Sequence, residues 1–394
     1  MNPSDIRSAQ FIDTFFPLVD GVVNTVDNYA RIMNRNSYSC VVCPKISQTS
    51  DEELPYDVYR TKATKIAVTE YPVGTPRLDQ QLKEFLLSKK LDILHAHTPF
   101  PEGNYAVYLG RKAGIPVVST FHSKYYDDVL NVTGSKSLAK VFVDKIVSFY
   151  NKCDDVWTCS RGTAETLRSY GYKGDIFVKD NGSSMIKPDI PDEELKLMAQ
   201  KKIGMDPEKK NILFVGHFIL HKNIKLILDT FKLLSLESDE YRLYLCGDGY
   251  DEKEVLRHAK SLDFPEGVVN FPGRINDRDL LAGIYLNCDL FFFPSVYDNA
   301  PLVVREAAAM MTPSLLTKGS NAAEAVIDNV SGYVAEEDPE SMKKRIVEIF
   351  SDMDRHRLVS KNAKAMIPKT WESIVDIALA KYAEIIERYR FKNK

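Results

Sequence analysis

The sequence predicts an α/β protein in which two parallel-sheet units follow one another along the chain. Its 394 residues are too many for a single domain with one hydrophobic core, and they suit two domains of roughly 150 to 200 residues each. Short β-like runs alternate with helix-like stretches in both halves, which is typical of parallel sheets covered by helices on both faces. Each half also opens with a strand, a glycine (Gly21 or Gly216) and a helix.

The first half supplies predicted strands and helices in alternation. The strands are expected at residues 9–15, 40–43, 93–97, 117–121 and 155–159. The helices are expected at residues 25–34, 78–88, 105–113 and 163–170. We therefore expect the first domain to occupy residues 1–187.

Residues 188–207 then interrupt the alternation: they are polar, contain three prolines and include one short helical stretch, and they predict the connection between the domains. Beyond it, strands are expected at residues 211–215, 241–246, 268–271, 289–293, 314–317 and 332–334. Helices are expected at residues 225–236, 251–261, 277–286, 304–310 and 341–350. The second domain is thus predicted at 188–369, and the helical segment within 370–394 is predicted to return to the first. Two Rossmann-like units of this kind are expected to bind a ligand in a cleft between them.

Composition and charge exclude several classes of protein. With 44% hydrophobic and 27% charged residues the chain is an ordinary globular protein, and its net charge of −3 predicts no general attraction to nucleic acid. No apolar run approaches the roughly 18 residues of a membrane span, and the N-terminus lacks a signal-peptide pattern. We expect a cytosolic protein.

Cys40 and Cys43 match a CxxC spacing but lie in a strand-like run, which favours structural cysteines.

Residues 294–313 carry the strongest functional signal. A buried strand ends at Phe293, a loop with the carboxylate Asp298 follows, and a helix begins near Leu302 or Val303. The first N–H groups of a helix have no internal partners and suit a diphosphate. Glu306 would lie one turn into that helix, within reach of a ribose or sugar hydroxyl. Without other evidence, an N-capping Asp298 and a solvent-facing Glu306 would explain the pattern equally well.

This stretch resembles the Glu-x7-Glu signature of the retaining glycosyltransferases of family 4, which have the GT-B fold. Asp298 stands where the first Glu is usual, and Glu306 matches the second. The run from Ala307 to Pro313 is similar to the family's Glu-Ala-Met-Ala-x-Gly-x-Pro sequence, with Met311 in place of the glycine. The resemblance covers nearly the whole chain.

The segment 216–223 resembles the family's Gly-Arg-x-x-x-Glu-Lys-Gly loop, which grips the donor diphosphate. Lys222 keeps the cation, whereas His217 replaces the usual Arg and His221 the usual Glu. Because a histidine cannot form the two parallel hydrogen bonds that Arg makes to a phosphate, we expect weaker binding of the diphosphate at position 217.

Further turns fall in the family's order. The turn 246–249 resembles the Gly-x-Gly turn of the nucleotide site, 271–274 resembles the turn beside the nucleobase, and 16–22 resembles the loop over the sugar and acceptor. The residues that the resemblance places at the donor are Gly21, Ser160, Gly216, His217, Gly247, Gly249, Gly273, Asn299, Leu302 and Val303. His122, at the end of a predicted strand, is the preferred active-site histidine, and His97 is the second choice.

The resemblance implies transfer of a hexosyl group from a nucleoside diphosphate sugar, UDP-glucose being favoured, to a glycolipid or glycan with retention of configuration. The catalytic residues would be His122, Lys222, Asp298 and Glu306, and no metal is expected. Two Asp-x-Asp matches, at 277–279 and 352–354, lie in helical contexts, the first of which indicates a helix N-terminus. The alternatives are a nucleotide-sugar epimerase of the same fold and a degenerate sugar-nucleotide-binding partner subunit.

Residues 134–152 alternate lysines with apolar side chains. The pattern fits a basic amphipathic helix on an anionic membrane, which would make the protein peripheral at the inner face. The simpler alternative, which we favour, is an ordinary core-facing helix with a solvated lysine face.

Overall fold

The computed structural model describes residues 2–46, 51–65, 72–183, 185 and 189–392. The chain forms two compact units: unit 1 comprises Met1–Gly182 and Thr370–Lys394, and unit 2 comprises Ser183–Lys369. The domain boundary predicted between residues 187 and 188 lies outside the described residues.

Unit 1 is built on a seven-stranded sheet whose paired strands are all parallel. Its strands, including a separate antiparallel pair β4–β5, are β1 (Arg7–Phe11), β2 (Tyr38–Pro44), β3 (Val58–Thr61), β4 (Ala63–Lys65), β5 (Pro72–Gly74), β6 (Ile93–Ala96), β7 (Val117–Phe121), β8 (Asp155–Thr158) and β9 (Phe177–Val178). The order across the sheet is β3-β2-β1-β6-β7-β8-β9. The strand order therefore reverses between β1 and β6.

The helices of unit 1 begin where the sequence supplies caps. Asp20 and Ser160 cap α1 and α6 through their side chains, and Gly114 ends α3 in the left-handed conformation. The helices are α1 (Gly21–Met33), α2 (Gln80–Ser88), α3 (Pro101–Ala113), α4 (Tyr125–Thr133), α5 (Lys136–Tyr150) and α6 (Arg161–Ser169).

Unit 2 repeats this architecture with a six-stranded parallel sheet. Its strands are β10 (Lys210–Val215), β11 (Tyr241–Cys246), β12 (Val269–Gly273), β13 (Leu290–Phe293), β14 (Ser314–Thr317) and β15 (Tyr333–Ala335), in the order β12-β11-β10-β13-β14-β15. Its helices are α7 (Asp192–Ile203), α8 (Ile224–Glu237), α9 (Glu252–Ser261), α10 (Arg278–Leu286), α11 (Leu302–Ala309), α12 (Pro339–Ser351) and α13 (Met353–Met366). The prediction of two parallel α/β units is confirmed.

The connection predicted at 188–207 contains the short helical stretch that the sequence indicates, which is α7, and its Leu195 and Ala199 are buried in the core of unit 2. A Cβ on Gly283 of α10 would lie 2.2 Å from the Leu195 carbonyl oxygen, so α7 packs closely on α10. The first strand was expected to reach Phe15 but ends at Phe11, because Phe15 packs into a separate small core beside α1.

The last helix, α14 (Trp371–Lys392), belongs to unit 1, as the sequence predicts. The Trp371 ring packs directly on Gly182. A Cβ at position 182 would lie only 2.4 Å from a carbon of that ring, so there is no room for a side chain. Farther along, Tyr382 is fully buried against His95 of β6, and Arg388 pairs with Asp155 of β8 at 2.7 Å. The helix thus closes over the sheet of unit 1 although it follows unit 2 in sequence.

The cysteines are structural, as predicted. All six are free thiols, and Cys40 and Cys43 are buried within β2. Burial raises the pKa of the Cys40 thiol to about 12, so this thiol is unreactive near neutral pH.

Within the described ranges, no helix is long and apolar enough to cross a membrane, and no cluster of three or more His, Cys, Asp or Glu side chains is arranged for a metal ion.

Candidate active site

The switch point of unit 2 lies between its two central strands. From β10 the chain first builds β11 and β12 on one side, then β13, β14 and β15 on the other. The loops after β10 and β13 therefore flank the place where open parallel sheets bind ligands. Lys222 lies in the first of these loops and Asp298 in the second.

Lys222 and Asp298 form an ion pair across the switch point. The Lys222 Nζ lies 2.9 Å from Asp298 Oδ1, and the two side chains are 12% and 20% exposed. Ser295 donates its hydroxyl to the other carboxylate oxygen at 2.6 Å, and the Phe293 ring lies 5.2 Å from Nζ. Two residues predicted to be catalytic are thus brought together, and Lys222 is held at a fixed, partly desolvated position.

Asn223 ties the same two loops together. Its φ of +58° is left-handed, a conformation that Asn tolerates better than most residues. Its side-chain amide donates to the Pro294 carbonyl at 3.1 Å and to Glu337 at 2.7 Å. Asn223 therefore fills the glycine position of the loop and also anchors it to the start of the β13 loop.

Glycine is required where the loops after β10 and β11 meet. A Cβ on Gly247 would lie 1.9 Å from the Gly216 carbonyl oxygen, and a Cβ on Gly249 would lie 2.5 Å from the Phe218 carbonyl oxygen. The Gly247 N–H donates to the carbonyl of Gly273, at the end of β12, at 2.9 Å. The four predicted glycines therefore lie in one packed group of loops, and their contact with a donor remains a prediction.

His217 lies at the exposed rim of these loops. Its Nδ1 is 3.6 Å from Asp248 Oδ1, and the Arg274 Nη1 is 3.9 Å from the other Asp248 oxygen. All three side chains are about half exposed, at 52%, 45% and 47%. A second cation, Arg274, thus stands beside the position where a histidine replaces the family's arginine.

Glu306 is buried rather than facing solvent, and Arg278 neutralises it. The Arg278 Nη2 donates to Glu306 Oε1 at 2.9 Å, and the glutamate side chain is only 8% exposed. Asp277 caps α10 through the N–H groups of Asp279 and Leu280, which confirms the predicted helix N-terminus at this Asp-x-Asp match. The pairing of Arg278 was missed because no local pattern links it to a residue 28 positions later.

The N-terminus of α11 carries no side-chain cap. The helix begins at Leu302, within the predicted start, and follows Pro301, whose side chain accepts no hydrogen bond. The buried Asn299 accepts a hydrogen bond from Asn321 Nδ2 at 2.8 Å, which fixes the loop just before the helix. The N–H groups of Leu302 and Val303 are therefore left uncapped by side chains in a firmly held loop.

The left-handed residue after α11 is Met311, with a φ of +63°. A residue with a Cβ pays a steric cost of roughly 1 kcal/mol there, which explains the usual glycine. We expect Met311→Gly to raise the free energy of unfolding by about 0.5 to 1 kcal/mol, since the side chain is 38% exposed and contributes little packing. Urea titration of wild type and variant measures the difference. A decrease in stability would show that the Met311 side chain is needed.

In unit 1 the structure brings His122 and His97 together. They follow the neighbouring strands β7 and β6, and His97 Nδ1 lies 3.3 Å from His122 Nε2. Burial, and then the charge of Lys179, lowers the pKa of His122 to about 3. The preferred histidine is therefore a neutral imidazole at physiological pH.

The two remaining predicted residues of unit 1 have structural roles at helix starts. Gly21 is the first residue of α1, and a Cβ there would meet open space. Ser160 caps α6: its Oγ accepts from the Thr163 N–H at 3.1 Å. Donor contact by either residue remains a prediction.

A carboxyl pair that the sequence did not reveal lies at the switch point of unit 1. Asp13 follows β1, and Glu102, fully buried, is in the first turn of α3 after β6. The Glu102 N–H donates to Asp13 Oδ1 at 3.2 Å, and Thr61 donates its hydroxyl to Glu102 Oε1 at 2.6 Å. Burial, and then the Asp13 carboxyl, raises the pKa of Glu102 to about 10, so Glu102 is protonated at neutral pH.

This pair predicts a pH-dependent stability. A carboxyl whose pKa is raised in the folded state favours folding below its ordinary value of 4.5, and that contribution is lost as pH rises toward about 10. We expect Glu102→Gln, which keeps the shape without titrating, to stabilise the protein by roughly 4 kcal/mol more at pH 8 than at pH 5. The gain should shrink toward pH 5. Urea titrations of both proteins across this range measure it, and a constant difference would contradict the assignment.

Comparison with known proteins agrees with this geometry. The family model "Glycosyltransferase Family 4" matches residues 19–183, and the model "Glycosyl transferases group 1" matches residues 197–366. The two models correspond to units 1 and 2.

Relatives match over most of their length. The α-monoglucosyldiacylglycerol synthase of Streptococcus pneumoniae is 24% identical over 362 residues, which covers 90% of this chain and 81% of the relative. The GDP-mannose-dependent α-mannosyltransferase of Corynebacterium glutamicum is 23% identical over 397 residues, covering 97% and 89%.

Solved structures share the fold. HepE of Anabaena, solved with UDP and glucose, superposes with a TM-score of 0.75 at 16% identity, covering 96% of this chain and 99% of that one. Sucrose-phosphate synthase of Thermosynechococcus elongatus gives a TM-score of 0.78 at 17% identity, covering 97% and 100%. The chain thus has the GT-B fold and belongs to glycosyltransferase family 4.

Proposed function

We propose that this protein is a retaining hexosyltransferase that moves a hexosyl group from a nucleoside diphosphate sugar to a glycolipid or glycan acceptor. The observation that carries the proposal is the group at the switch point of unit 2. There a shielded lysine, a carboxylate and an uncapped helix N-terminus face the same position of the sheet. Lysine and helix N–H groups are the elements that proteins use to bind phosphate.

In the proposed reaction the bond from the hexosyl C1 to the diphosphate oxygen breaks, and a bond from C1 to the acceptor oxygen forms on the same face. The acceptor proton passes to the leaving diphosphate. Lys222 and the N–H groups of Leu302 and Val303 stabilise the negative charge that develops on the leaving group. Lys222 would exchange Asp298 for phosphate, which frees the Asp298 carboxylate to accept hydrogen bonds from the sugar.

The buried Glu306 is proposed to hold the ribose or a sugar hydroxyl, and the loops after β10, β11 and β12 are proposed to hold the nucleotide. Arg274, beside Asp248, would add charge where His217 replaces arginine. Because these cations are supplied by side chains, we propose transfer without a metal ion, which predicts that EDTA leaves the rate unchanged.

The donor is proposed to be UDP-glucose or a related hexose. The name of the streptococcal relative specifies a glucosyl lipid product, and the neighbour HepE was solved with UDP and glucose. The corynebacterial relative is GDP-mannose-dependent, so GDP-mannose is the competing donor. Unit 1 would supply the acceptor site, with His122 hydrogen-bonded to a substrate hydroxyl.

The test is transfer by the pure protein. Radiolabelled UDP- and GDP-hexoses are incubated with diacylglycerol, glucosyl-lipid and oligosaccharide acceptors, and labelled product and free nucleoside diphosphate are measured. We expect stoichiometric product and nucleotide with one donor. Epimerised donor formed without acceptor would instead indicate the epimerase, and nucleotide binding without turnover would indicate the degenerate partner subunit.

We further propose that α4 and α5 of unit 1 contact an anionic membrane at the inner face. The apolar side chains of Val132, Leu138 and Val141 are 77%, 56% and 54% exposed, which is unusual for residues so close in sequence. Lys136 and Lys140 are exposed beside them. Exposed apolar residues interleaved with lysines suit the interface of an anionic bilayer.

This surface predicts a vesicle-binding defect. Leu138→Glu together with Val141→Glu should lower partitioning onto vesicles of phosphatidylglycerol and phosphatidylcholine roughly tenfold, because two apolar contacts with the bilayer are lost. Sedimentation with the vesicles measures it. The control is Leu236→Glu, at an exposed leucine of unit 2 (70% exposed). Equal partitioning of both variants would contradict the assignment.

A further inference from the structure

The helix that begins at the switch point of each sheet has the same place in both units. In unit 2 this helix is α11, which follows β13, the strand beside β10. In unit 1 it is α3, which follows β6, the strand beside β1. The N-cap residues of the two helices, Pro301 and Phe100, supply no side-chain cap. The first N–H groups of both helices therefore need acceptors from elsewhere.

In unit 1 the carboxylate of Asp13, from the loop after β1, fills that position. The Glu102 N–H in the first turn of α3 donates to Asp13 Oδ1 at 3.2 Å, and the Gly103 N–H also donates to this carboxylate. Thr98 donates its hydroxyl to Oδ2 and accepts from the Asp13 N–H at 3.0 Å. A negative charge is stabilised at a helix N-terminus, so Asp13 occupies the place that an anionic ligand would take.

Glu102 contributes a proton to this arrangement. Its carboxyl group is hydrogen-bonded to that of Asp13, which requires a proton on one of the two groups. Glu102 Oε1 accepts from the Thr61 hydroxyl at 2.6 Å, whereas Oε2 is fully buried and accepts no hydrogen bond from the described residues. The proton therefore belongs on Oε2, and the negative charge stays on Asp13, which receives the other donors. The pair carries one negative charge.

The space around the pair is closed. A Cβ on Gly74 of β5 would lie 1.9 Å from Glu102 Oε1, so the backbone of β5 packs directly on the carboxyl group. Arg60 on β3 is held by both oxygens of Asp51, at 2.7 and 2.9 Å, and adds no net positive charge that would attract a phosphate. While Asp13 is in place, the start of α3 offers a phosphate neither room nor free N–H groups.

We propose that Asp13 is a specificity-determining residue, which excludes phosphate from the switch point of unit 1 and leaves that position to an acceptor whose reacting end is uncharged. The start of α11 in unit 2 has no side-chain cap and remains available to the donor diphosphate. A phosphate on the reacting end of the acceptor would instead meet a like charge at Asp13. The class of acceptor rests on the proposed hexosyl transfer, whereas the exclusion of phosphate from α3 does not.

Inorganic phosphate tests the exclusion without any transfer reaction. Labelling the full chain with ¹³C at the glutamate carbonyls and ¹⁵N at glycine selects two amide signals, those of Gly103 and Gly267, because Glu102 and Glu266 are the two glutamates that precede a glycine. Phosphate should move neither signal in the wild type. In Asp13→Ala, which vacates the position, it should shift Gly103 and leave the exposed Gly267 in place. A shift of Gly103 in the wild type, or none in a folded Asp13→Ala protein, overturns the proposal.

Transfer tests the consequence for the acceptor. Each neutral acceptor is paired with a phosphate-bearing counterpart: glucosyl lipid with its 6-phosphate, and diacylglycerol with phosphatidylglycerol. The wild type should favour the neutral member about 100-fold in kcat/KM, and Asp13→Asn, which keeps the shape without the charge, should lower that ratio about tenfold. Glu102→Gln is the control, because its amide still donates to Asp13 and leaves the charge in place, so the ratio should persist.

Equal use of both members by the wild type, or an unchanged ratio in an active Asp13→Asn protein, overturns the proposal. If the wild type transfers no hexose while the Gly103 signal responds to phosphate only in Asp13→Ala, the proposed function fails and the exclusion of phosphate by Asp13 stands.

Discussion

Lys222→Met is expected to lower kcat/KM for the nucleotide sugar by 10²- to 10³-fold. Losing one preorganised donor to a developing oxyanion costs that much in other enzymes. Lys222 stands at the switch point of unit 2 with its ammonium only 2.9 Å from Asp298, so methionine removes the charge with little change of volume. Steady-state kinetics with the preferred donor measure the effect.

The matched control is Lys225→Met. Lys225 lies three residues on, in α8, where it pairs with Glu254 and is 42% exposed. Its loss should change kcat/KM less than twofold. A Lys222→Met protein within threefold of wild type would contradict the assigned role.

Stability can be separated from catalysis in the same series. Lys222→Met leaves the Asp298 carboxylate without its counter-ion, so thermal stability should fall. Adding Asp298→Asn should recover that stability but not the rate. A recovered rate would mean that Lys222 acts only by neutralising Asp298.

Glu306→Gln is expected to lower kcat/KM by about 10- to 150-fold, the value of a hydrogen bond to a buried charged group. The glutamate is only 8% exposed, and Arg278 holds one of its oxygens, so the isosteric amide should keep the fold. If Glu306 holds the ribose, the variant should lose kcat/KM for the nucleotide sugar and should also bind free UDP more weakly. An effect on the sugar nucleotide alone would place Glu306 at the hexosyl group.

Arg278→Met and the exposed Glu336→Gln complete that experiment. Arg278→Met should destabilise the protein, because it leaves Glu306 as a buried charge without its partner. Glu336 pairs with Lys318 at the surface of the same unit, at 63% exposure, and its amide variant should behave as wild type. Equal activity of the Glu306→Gln and Glu336→Gln proteins would refute the role of Glu306.

Both sheets were predictable in outline, because short strand-like runs alternate with helical patterns along the chain. The bounds expected for 117–121, 241–246 and 314–317 agree with β7, β11 and β14, whose residues are nearly all buried. β3 was missed because Val-Tyr-Arg-Thr carries little apolar signal. Its Arg60 is neutralised by Asp51 at 2.7 Å, a contact that only the fold reveals.

The candidate site was predictable one residue at a time but not as pairs. The motifs indicated Lys222, Asp298 and Glu306 from their place after strands. They did not reveal that Lys222 and Asp298 neutralise each other or that Arg278 holds Glu306, because each partner lies on another element of unit 2. The same limit hid the pairing of Asp13 with Glu102 and the contact of His97 with His122, in which the partners are 25 or more residues apart.

One departure from the family pattern has a physical explanation, and a second has a steric cost that nothing in the structure explains. Asn223 tolerates the left-handed conformation and also donates hydrogen bonds to the next loop. Met311 adopts the same conformation at a steric cost. The third departure, His217, has no such explanation. His217 and Arg274 both lie near Asp248, so Arg274 is the residue that could supply the positive charge of the family's arginine.

The most direct measurement of the central claim is calorimetric titration of UDP, UMP, GDP and GMP into the wild type and the Lys222→Met variant. If the diphosphate binds at Lys222 and the start of α11, the preferred diphosphate should bind the wild type at least tenfold more tightly than its monophosphate. The variant should lose most of that difference. Equal affinities for diphosphate and monophosphate in the wild type, or an unchanged difference in the variant, would contradict a donor site at the switch point of unit 2.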